Sequence, residues 1–321
     1  MIGVVIPHYH DLDRLPTLLN ELGSCNLIAQ VVVCDDGTPE IDEQVSSISI
    51  PKHLDFKLVH NKRKKGAGGA RNSGLKHINQ PFVWFIDADD NFINVEEFQS
   101  AFNNLIKGAT TEPDVIVMPY ADSRFSSAGE YLTSFSDEMK WQNSSNEDGP
   151  ISDAFRSDLM QLPNYPWNKI CSAKYMKKNK IVFEETIVHN DILFHWLTLL
   201  KSDDIHWLDV RTIYHNVDDL YGSRLTQLQS NSRLSAIQTF GKLLEATLED
   251  KDRKRFLPTL MAYFNELIQW IDMRLDQDGQ MRLRKELNSV LLNSLNAIEA
   301  ENSLLKDPEN CTELFKLGAV L

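Results

Sequence analysis

Apolar runs and amphipathic segments alternate along the first third of the chain. Runs rich in β-branched residues lie at residues 2–6 and 31–34, and further apolar segments lie at residues 56–60 and from Phe82 onwards. Such runs are typical of strands that are buried in a parallel sheet. Residues 12–22 instead carry leucines at helical spacing. This order of strands and helices predicts a doubly wound α/β fold.

The middle of the chain continues the α/β pattern with less regularity. It predicts helices at residues 95–107 and 192–200 and strands at residues 114–118 and 206–214. Residues 121–150 are polar and rich in Ser, Asn and Asp, and they fit either a pair of edge strands or a loose insertion.

The pattern changes at about residue 230. From there apolar residues recur at helical spacing and glycine is scarce, so we expect three or four amphipathic helices. This change predicts two domains, an α/β domain at residues 1–228 and an appended helical domain at residues 229–321. The apolar helix faces would pack together, against the first domain or against a second copy, which leaves a homo-oligomer open. Contact with a membrane is the less favoured use of these faces.

The composition excludes some classes of protein. The 321 residues include 33 Lys and Arg against 46 Asp and Glu, and the net charge of −13 argues against a nucleic-acid-binding protein. The four cysteines show no paired spacing, which indicates a reducing compartment and no structural zinc. The N-terminus lacks the basic region of a signal peptide, and no apolar run reaches the length of a membrane span. We therefore expect a cytoplasmic protein that is able to associate with the inner face of the cell membrane.

Three carboxylates, Asp87, Asp89 and Asp90, follow the run that begins at Phe82. The carboxyl ends of parallel strands are where α/β sheets place their ligands. Carboxylates this close repel one another unless a cation lies among them, and Mn²⁺ or Mg²⁺ holding a phosphate suits their oxygen atoms. An acidic, solvated turn is the ordinary alternative to such a metal site.

A basic, glycine-rich stretch at residues 61–72 precedes the acidic turn by one helix. It is not a dinucleotide fingerprint, because Arg71 occupies the third glycine position, and it lacks the Gly-Lys-Ser/Thr of a Walker loop. A flexible cationic loop that leads into a helix N-terminus suits a diphosphate. A solvated run of charges remains the alternative.

Six motifs, in this order, resemble the family 2 glycosyltransferases, which have the GT-A fold. The resemblance covers residues 1 to about 226. The motifs are Val4-Val5-Ile6-Pro7-His8-Tyr9, Val33-Cys34-Asp35-Asp36-Gly37-Thr38, Gly69-Ala70-Arg71-Asn72-Ser73-Gly74, Phe85-Ile86-Asp87-Ala88-Asp89-Asp90, Pro166-Trp167-Asn168-Lys169 and His189-Asn190-Asp191. His10 stands where the family usually has Asn, and Asn190 stands where it usually has Glu.

The resemblance implies a binding site for a nucleotide-diphosphate sugar. It implies that Asp36 accepts a hydrogen bond from the uracil imide, that Asp87 contacts the ribose and that Asp89 holds Mn²⁺ or Mg²⁺ against both phosphates. Arg71 would reach the base or the diphosphate, and Asp191 would be the general base. The remaining nucleotide-binding residues are expected to be Pro7 and Tyr9.

The resemblance also implies residues on the acceptor and diphosphate side of the site. Trp167 and Lys169 belong to a motif on the acceptor side, and Arg224 lies on a late loop that could close over the diphosphate. His215, on the same late segment, is a candidate metal ligand, although a structural histidine is the favoured interpretation.

The reaction that the resemblance implies is a single inverting displacement. Asp191 would take the proton from an acceptor hydroxyl as that oxygen attacks C1 of the sugar. The expected donor is a UDP-sugar, with either a hexose or an N-acetylhexosamine. The expected acceptor is a glycan or glycolipid in the synthesis of a bacterial cell-surface polysaccharide or lipopolysaccharide.

Other functions stay open at this point. Asn190 permits an inactive sugar-nucleotide- or glycan-binding module, and the helical tail permits a scaffold for oligomers or partner enzymes. A nucleotidyltransferase would need a glycine-rich basic loop after the first strand, and residues 7–14 contain no glycine.

Overall fold

The computed structural model describes residues 1–10, 12–127, 130–142, 151–217 and 231–294, together with residue 316. The strands are β1 (Ile2–His8), β2 (Ile28–Asp35), β3 (Asp55–His60), β4 (Phe82–Phe85), β5 (Asn91–Phe92), β6 (Val115–Val117), β7 (Ala121–Asp122), β8 (Lys169–Ser172), β9 (Ile205–Trp207) and β10 (Ile213–His215). The α-helices are α1 (Leu15–Gly23), α2 (Ile41–Ser46), α3 (Ala67–Leu75), α4 (Val95–Gly108), α5 (Phe135–Gln142), α6 (Asp153–Met160), α7 (Ala173–Asn179), α8 (Ile192–Leu200), α9 (Ser235–Leu248), α10 (Leu257–Asp272) and α11 (Gln277–Ser294). The predicted α/β class is confirmed.

Within the described residues, a seven-stranded sheet forms the centre of the fold. Its strand order is β3-β2-β1-β4-β8-β6-β9. β3, β2, β1 and β4 run parallel, whereas β8 is antiparallel to both β4 and β6. β1 lies inside the sheet, and its apolar residues, such as Val4 and Val5, are buried on both faces. The carboxyl ends of β2, β1 and β4 therefore meet at one edge of the sheet.

A second sheet, three-stranded in the described part of the chain, has the order β5-β10-β7. The predicted single strand at residues 206–214 is wrong, because the chain forms β9 in the central sheet and β10 in the small one. Between them, Val210 N donates to Leu208 O at 2.7 Å in a tight turn. Both side chains are buried, so this apolar run anchors a turn in the core instead of extending a strand. The turn brings His215, at the end of β10, towards the acidic residues after β4.

Helix α3 approaches the segment at residues 183–190 so closely that only glycine fits. A Cβ atom on Gly68 would lie 1.9 Å from the carbonyl oxygen of Glu184. Asn72 fastens the same segment, since its Nδ2 donates to Phe183 O and its Oδ1 accepts from Phe183 N, both at 2.9 Å. The basic loop therefore leads into a helix that is fixed against the segment carrying the last sequence motif.

The C-terminal helices pack on the α/β part of the chain. α9 contacts α8 as well as α10 and α11. Phe240 and Phe264 stack between α9 and α10 with ring centroids 4.5 Å apart, and one hydrophobic cluster extends from the central sheet to α11. The predicted helices are confirmed. The boundary predicted between residues 228 and 229 lies outside the described residues, so the division into two domains stays a prediction.

None of the described helices is both long enough and apolar enough to cross a membrane.

We expect Gly68→Ala to lower the free energy of unfolding by roughly 1–3 kcal/mol, because the new methyl group must displace backbone atoms. Urea denaturation measures this change. Gly108→Ala is the matched control, since nothing lies within 4 Å of a Cβ atom added at the end of α4. Alanine there should be neutral or stabilising. Equal stability of the two variants would contradict the close approach of α3.

Candidate active site

A cleft of about 360 Å³ opens at the carboxyl ends of β1, β2 and β4. This edge is where open α/β sheets bind ligands. The lining residues are Pro7, His8, Tyr9, Asp36, Gly66, Ala67, Ala70, Arg71, Asp87, Ala88 and Asp89. The structure thus brings together the five residues that the resemblance assigns to the nucleotide and the aspartate that it assigns to the metal.

Asp35 is buried at the end of β2 and supports the turn that carries Asp36. Its Oδ2 accepts from the backbone N–H groups of Gly37 at 2.8 Å and Thr38 at 2.9 Å, and its Oδ1 lies 3.1 Å from His8 Nδ1. Burial alone would raise the pKa of this carboxyl, but the hydrogen bonds from Thr38, His8 and Gly37 outweigh it and lower the pKa. Gly37 has a φ of 103°, which favours glycine in this turn.

Asp36 holds the basic loop against the cleft. Its Oδ1 accepts from Asn61 Nδ2 and its Oδ2 accepts from Gly66 N, both at 2.7 Å. On the same loop, Lys65 Nζ lies 4.9 Å from the centroid of the Tyr9 ring. The loop is therefore ordered by contacts of the protein itself. Each carboxylate oxygen of Asp36 still has a lone pair for a further donor.

Arg71 connects the acidic turn with the segment before α8. Its Nη2 donates to Asp87 Oδ1 at 2.5 Å and its Nη1 donates to Asn190 Oδ1 at 3.1 Å. The guanidinium also lies 5.1 Å from the centroid of the Phe183 ring, and the side chain is only 6% exposed. Because Asn190 directly precedes Asp191, this buried bridge fixes the candidate base relative to the cleft.

Asp89 lines the cleft and its backbone is anchored from two sides. Its carbonyl oxygen accepts from Arg14 Nη1 and from Asn216 Nδ2, both at 2.9 Å. Burial and the charges of Asp90 and Asp87 raise the pKa of Asp89 to about 7. A hard divalent cation would relieve this repulsion, so the carboxylate of Asp89 fits Mn²⁺ or Mg²⁺.

The surroundings of Asp89 suit a cation that is shared with a phosphate. In the part of the chain that the structure describes, no group of three or more His, Cys, Asp or Glu side chains is arranged to hold a metal ion. Mg²⁺ in phosphate-binding sites is usually held by one or two carboxylates, with phosphate and water oxygens around the rest of the ion. A single carboxylate at Asp89 is compatible with that kind of site.

Asp90 is buried behind the cleft and pairs with His215. Its Oδ1 lies 2.9 Å from His215 Nδ1 and accepts from Asn216 N at 3.0 Å. Burial by itself would lower the pKa of His215, but the hydrogen bond and the charge of Asp90 raise it. Because a metal ligand must be the neutral imidazole, this pairing favours the structural role of His215.

Asp90 was expected to be one of three carboxylates at a metal site, and here it fixes the acidic turn from behind the cleft. Arg14 and Asn216, which also hold this turn in place, had no expected role. The signal that could have found Asn216 is its position directly after a strand, next to His215. Arg14 carried no comparable signal, because its contact with Asp89 spans 75 positions of the chain.

Asp191 immediately precedes α8, but its side chain makes no capping hydrogen bond to that helix. Burial raises the pKa of its carboxyl, the charges of Arg71 and Lys169 act against this rise, and the charge of Asp87 adds to it. A carboxylate with a raised pKa that is not used as a helix cap has the chemistry of a general base.

Two residues that were expected on the acceptor side of the site are buried. Trp167 is 0% exposed and stacks on Tyr165 with ring centroids 4.4 Å apart. Lys169 is also 0% exposed, and its Nζ donates to Tyr165 O at 2.9 Å and lies 2.9 Å from His195 Nδ1. Both side chains therefore lie in the core, and their assignment to the acceptor side stays a prediction. Arg224 lies outside the described residues.

Comparison with known proteins agrees with this geometry. The model of the family described as Glycosyl transferase family 2 matches residues 3–148, which include every residue that lines the cleft. The matched residues are thus similar to glycosyl transferase family 2. A relative named Uncharacterized glycosyltransferase YibD, from Escherichia coli (strain K12), is 24% identical over 265 residues, which cover 82% of this chain and 74% of the relative. UDP-Glc:alpha-D-GlcNAc-diphosphoundecaprenol beta-1,3-glucosyltransferase WfgD from Escherichia coli is 28% identical over 95 residues, which cover 29% of this chain and 36% of WfgD.

Solved structures of glycosyltransferases share the fold of this chain. S. aureus TarS 1–349 in complex with UDP-GlcNAc superposes with a TM-score of 0.73 at 17% identity, over 99% of this chain and 90% of TarS 1–349. The mannosyltransferase PcManGT from Pyrobaculum calidifontis, in complex with GDP-Man and Mn²⁺, superposes with a TM-score of 0.53 at 12% identity, over 98% of this chain and 85% of PcManGT. The chain therefore has the GT-A fold.

We expect Asp35→Asn to lower the free energy of unfolding at pH 7 by roughly 1–3 kcal/mol, because an amide replaces a buried carboxylate that accepts two backbone hydrogen bonds. The pKa of Asp35 is lower in the folded state, so its stabilisation is present above the unfolded pKa and is lost as the pH falls through the folded pKa. Urea denaturation should show the difference between wild type and variant shrinking from pH 7 to about pH 3.

The control for this series is Asp42→Asn, which removes an exposed carboxylate that pairs with His60. This change should alter the free energy of unfolding by no more than about 0.5 kcal/mol at any pH in the series. A difference for Asp35→Asn that stays constant across the pH range would mean that the Asp35 charge does not stabilise the turn.

Proposed function

We propose that this glycosyltransferase moves a sugar from a UDP-sugar donor to a hydroxyl group of a glycan or glycolipid, with inversion at C1 and with a divalent cation. The observation that carries the proposal is the placement of Asp191. It adjoins Asn190, which Arg71 bridges to Asp87 in the cleft, and it is not used to cap α8. A carboxylate beside a nucleotide cleft is what an acceptor hydroxyl needs to become a nucleophile.

The donor would lie in the cleft with its base near the ends of the first two strands. Tyr9 is 53% exposed and offers its ring to the base, while Asp36 keeps lone pairs for the imide N–H of uracil. Asp87 supplies a carboxylate for the ribose hydroxyls. Lys65 and Arg71 supply cationic groups for the diphosphate.

Residues on two sides of the cleft contribute to the reaction. Asp191 accepts the proton of the acceptor hydroxyl while that oxygen attacks C1 from the face opposite the diphosphate, so the configuration inverts. A divalent cation at Asp89, when bound, neutralises the charge that develops on the leaving diphosphate. The bridge from Arg71 to Asn190 and Asp87 keeps the base at a fixed separation from the donor.

The proteins of similar sequence and fold support the donor and acceptor classes. TarS was solved with UDP-GlcNAc and with UDP, PcManGT was solved with GDP-Man and Mn²⁺, and WfgD is named as a transferase of glucose from UDP-Glc to a diphosphoundecaprenol-linked sugar. We infer a UDP-hexose or UDP-N-acetylhexosamine donor and an acceptor in cell-surface polysaccharide synthesis. A cytoplasmic enzyme at the inner face of the cell membrane would meet such an acceptor.

Asn190 favours one other function, a sugar-nucleotide-binding module without turnover. The glutamate usual in the family would place a second carboxylate beside Asp191. Here the amide oxygen of Asn190 accepts a hydrogen bond from Arg71 at 3.1 Å. The bridge across the cleft is thus kept with one negative charge fewer beside the base, so donor binding could persist without catalysis.

We expect Asp191→Asn to lower the rate of UDP release from UDP-GlcNAc or UDP-glucose by about 10²–10⁴-fold, the usual contribution of a general base. The dissociation constant for UDP should stay unchanged, since Asp191 is not among the residues that line the cleft. A coupled UDP-release assay with added glycan acceptors measures the rate, and calorimetric titration measures the binding.

Asp209→Asn removes an exposed carboxylate between β9 and β10 and should retain the wild-type rate. Thermal unfolding verifies that both variants are folded. Wild-type transfer by Asp191→Asn would refute the assignment of the base. Tight UDP binding by the wild-type protein with no turnover on any acceptor would favour the binding module.

A further inference from the structure

Lys169 is a buried cation that the reaction described above does not use. It is the first residue of β8 and is 0% exposed. Its three N–H donors meet three uncharged acceptors, which are Tyr165 O at 2.9 Å, Oδ1 of Asn168, and His195 Nδ1 at 2.9 Å. An ammonium group among neutral acceptors loses its proton readily unless a negative charge lies nearby, because burial of an uncompensated charge is strongly unfavourable.

His195 connects Lys169 to the first turn of α8. Its Nε2 lies 3.2 Å from the carbonyl oxygen of Met160, so Nε2 carries the proton and Nδ1 presents its lone pair to Lys169. Burial and the charge of Lys169 hold the pKa of His195 well below its usual value, so the ring is neutral. His195 N donates to Asp191 O at 2.9 Å, which places Asp191 and His195 one helical turn apart on the same face.

The largest charge effects on Asp191 come from Arg71 on α3, Asp87 after β4 and Lys169 on β8. Tyr263 on α10 lies close enough to Asp191 that the charge of Asp191 raises the pKa of Tyr263. Arg71 already forms an ion pair with Asp87, with 2.5 Å between Nη2 and Oδ1. Tyr263 is neutral, because burial raises its pKa. Arg71 counteracts the rise in the pKa of Asp191 most strongly, and Lys169 is a further cation that acts in the same direction.

We propose that Lys169 is a positioning residue for Asp191: its buried ammonium group, joined to the first turn of α8 through His195, stabilises the ionised carboxylate that accepts the proton of the acceptor hydroxyl. This proposal rests on the function of Asp191 proposed above. The lysine of the Trp-Asn-Lys motif would then act on the site from a buried position. Burial lowers the pKa of Lys169 to about 7, so Lys169 is mostly charged below that pH.

The direct test is the pKa of Asp191, measured by carbon NMR on protein labelled at the aspartate Cγ atoms. The loss of a signal in Asp191→Asn assigns the resonance. We expect Lys169→Gln, which removes the charge and keeps an amide donor, to raise the pKa of Asp191 by about one unit. The acid limb of kcat against pH should move to higher pH by the same amount, because Asp191 then binds its proton at higher pH. An unchanged pKa of Asp191 in folded Lys169→Gln would overturn the proposal.

Lys201→Gln is the matched control, since it makes the same substitution directly after the other end of α8. It should leave both the pKa of Asp191 and the acid limb of kcat where they are in the wild-type protein. A shift equal to that of Lys169→Gln would also overturn the proposal, because the effect would not be specific to Lys169.

A reciprocal titration covers the case in which Lys169→Gln does not fold. The coupling between two charges acts equally on both, so Asp191→Asn should lower the pKa of Lys169 by a similar amount. NMR of protein labelled at the lysine Cε atoms, with Lys169 assigned from its contact with the His195 ring, measures this change. An unchanged pKa of Lys169 would overturn the proposal.

Neither titration depends on turnover. The role of Asp191 as general base and the role of Lys169 as its positioning residue can therefore be refuted independently. Wild-type transfer by Asp191→Asn would refute the general base while the charge coupling could still be measured. An absent coupling would refute the role of Lys169 even if Asp191 proves to be the base.

Discussion

Repulsion among the carboxylates at one edge of the central sheet is the constraint on which the arrangement of the cleft depends. Each of four aspartates meets its own partner, and these partners fix the turns and loops that form the walls. The pairs are Asp35 with His8, Asp36 with Asn61, Asp87 with Arg71, and Asp90 with His215. Asp89 differs, because burial and its acidic neighbours raise its pKa to about 7. Its charge is the one that a bound cation would balance.

The candidate base depends on the C-terminal helices as much as on the sheet. Asp191 immediately precedes α8, every residue of which is buried, and α9 packs against this helix. Tyr263 on α10 lies close enough to Asp191 that the charge of Asp191 raises the pKa of Tyr263. In the described part of the tail, α9 and α10 thus bury apolar residues within the chain, and the homo-oligomer stays a prediction.

The sequence predicted the parts of the fold that depend on local pattern. Buried β-branched runs gave the parallel strands, and the acidic residues after two of them located the cleft, because strand ends meet at one edge. Contacts between distant residues escaped prediction. The run at residues 206–214 has the composition of a strand but contains a turn, and Trp167 and Lys169 resemble surface recognition residues but lie in the core. Packing decides whether a polar side chain faces a ligand or a buried partner such as His195. A sequence motif carries no information about that packing.

Calorimetric titration of UDP in the presence of Mn²⁺ tests the central claim most directly, namely that the cleft binds a nucleoside diphosphate through a cation at Asp89. The account predicts that the wild-type protein binds UDP with Mn²⁺, and that EDTA and the Asp89→Ala substitution each remove most of that binding. Equal binding of UDP with Mn²⁺, with EDTA and by folded Asp89→Ala would contradict it.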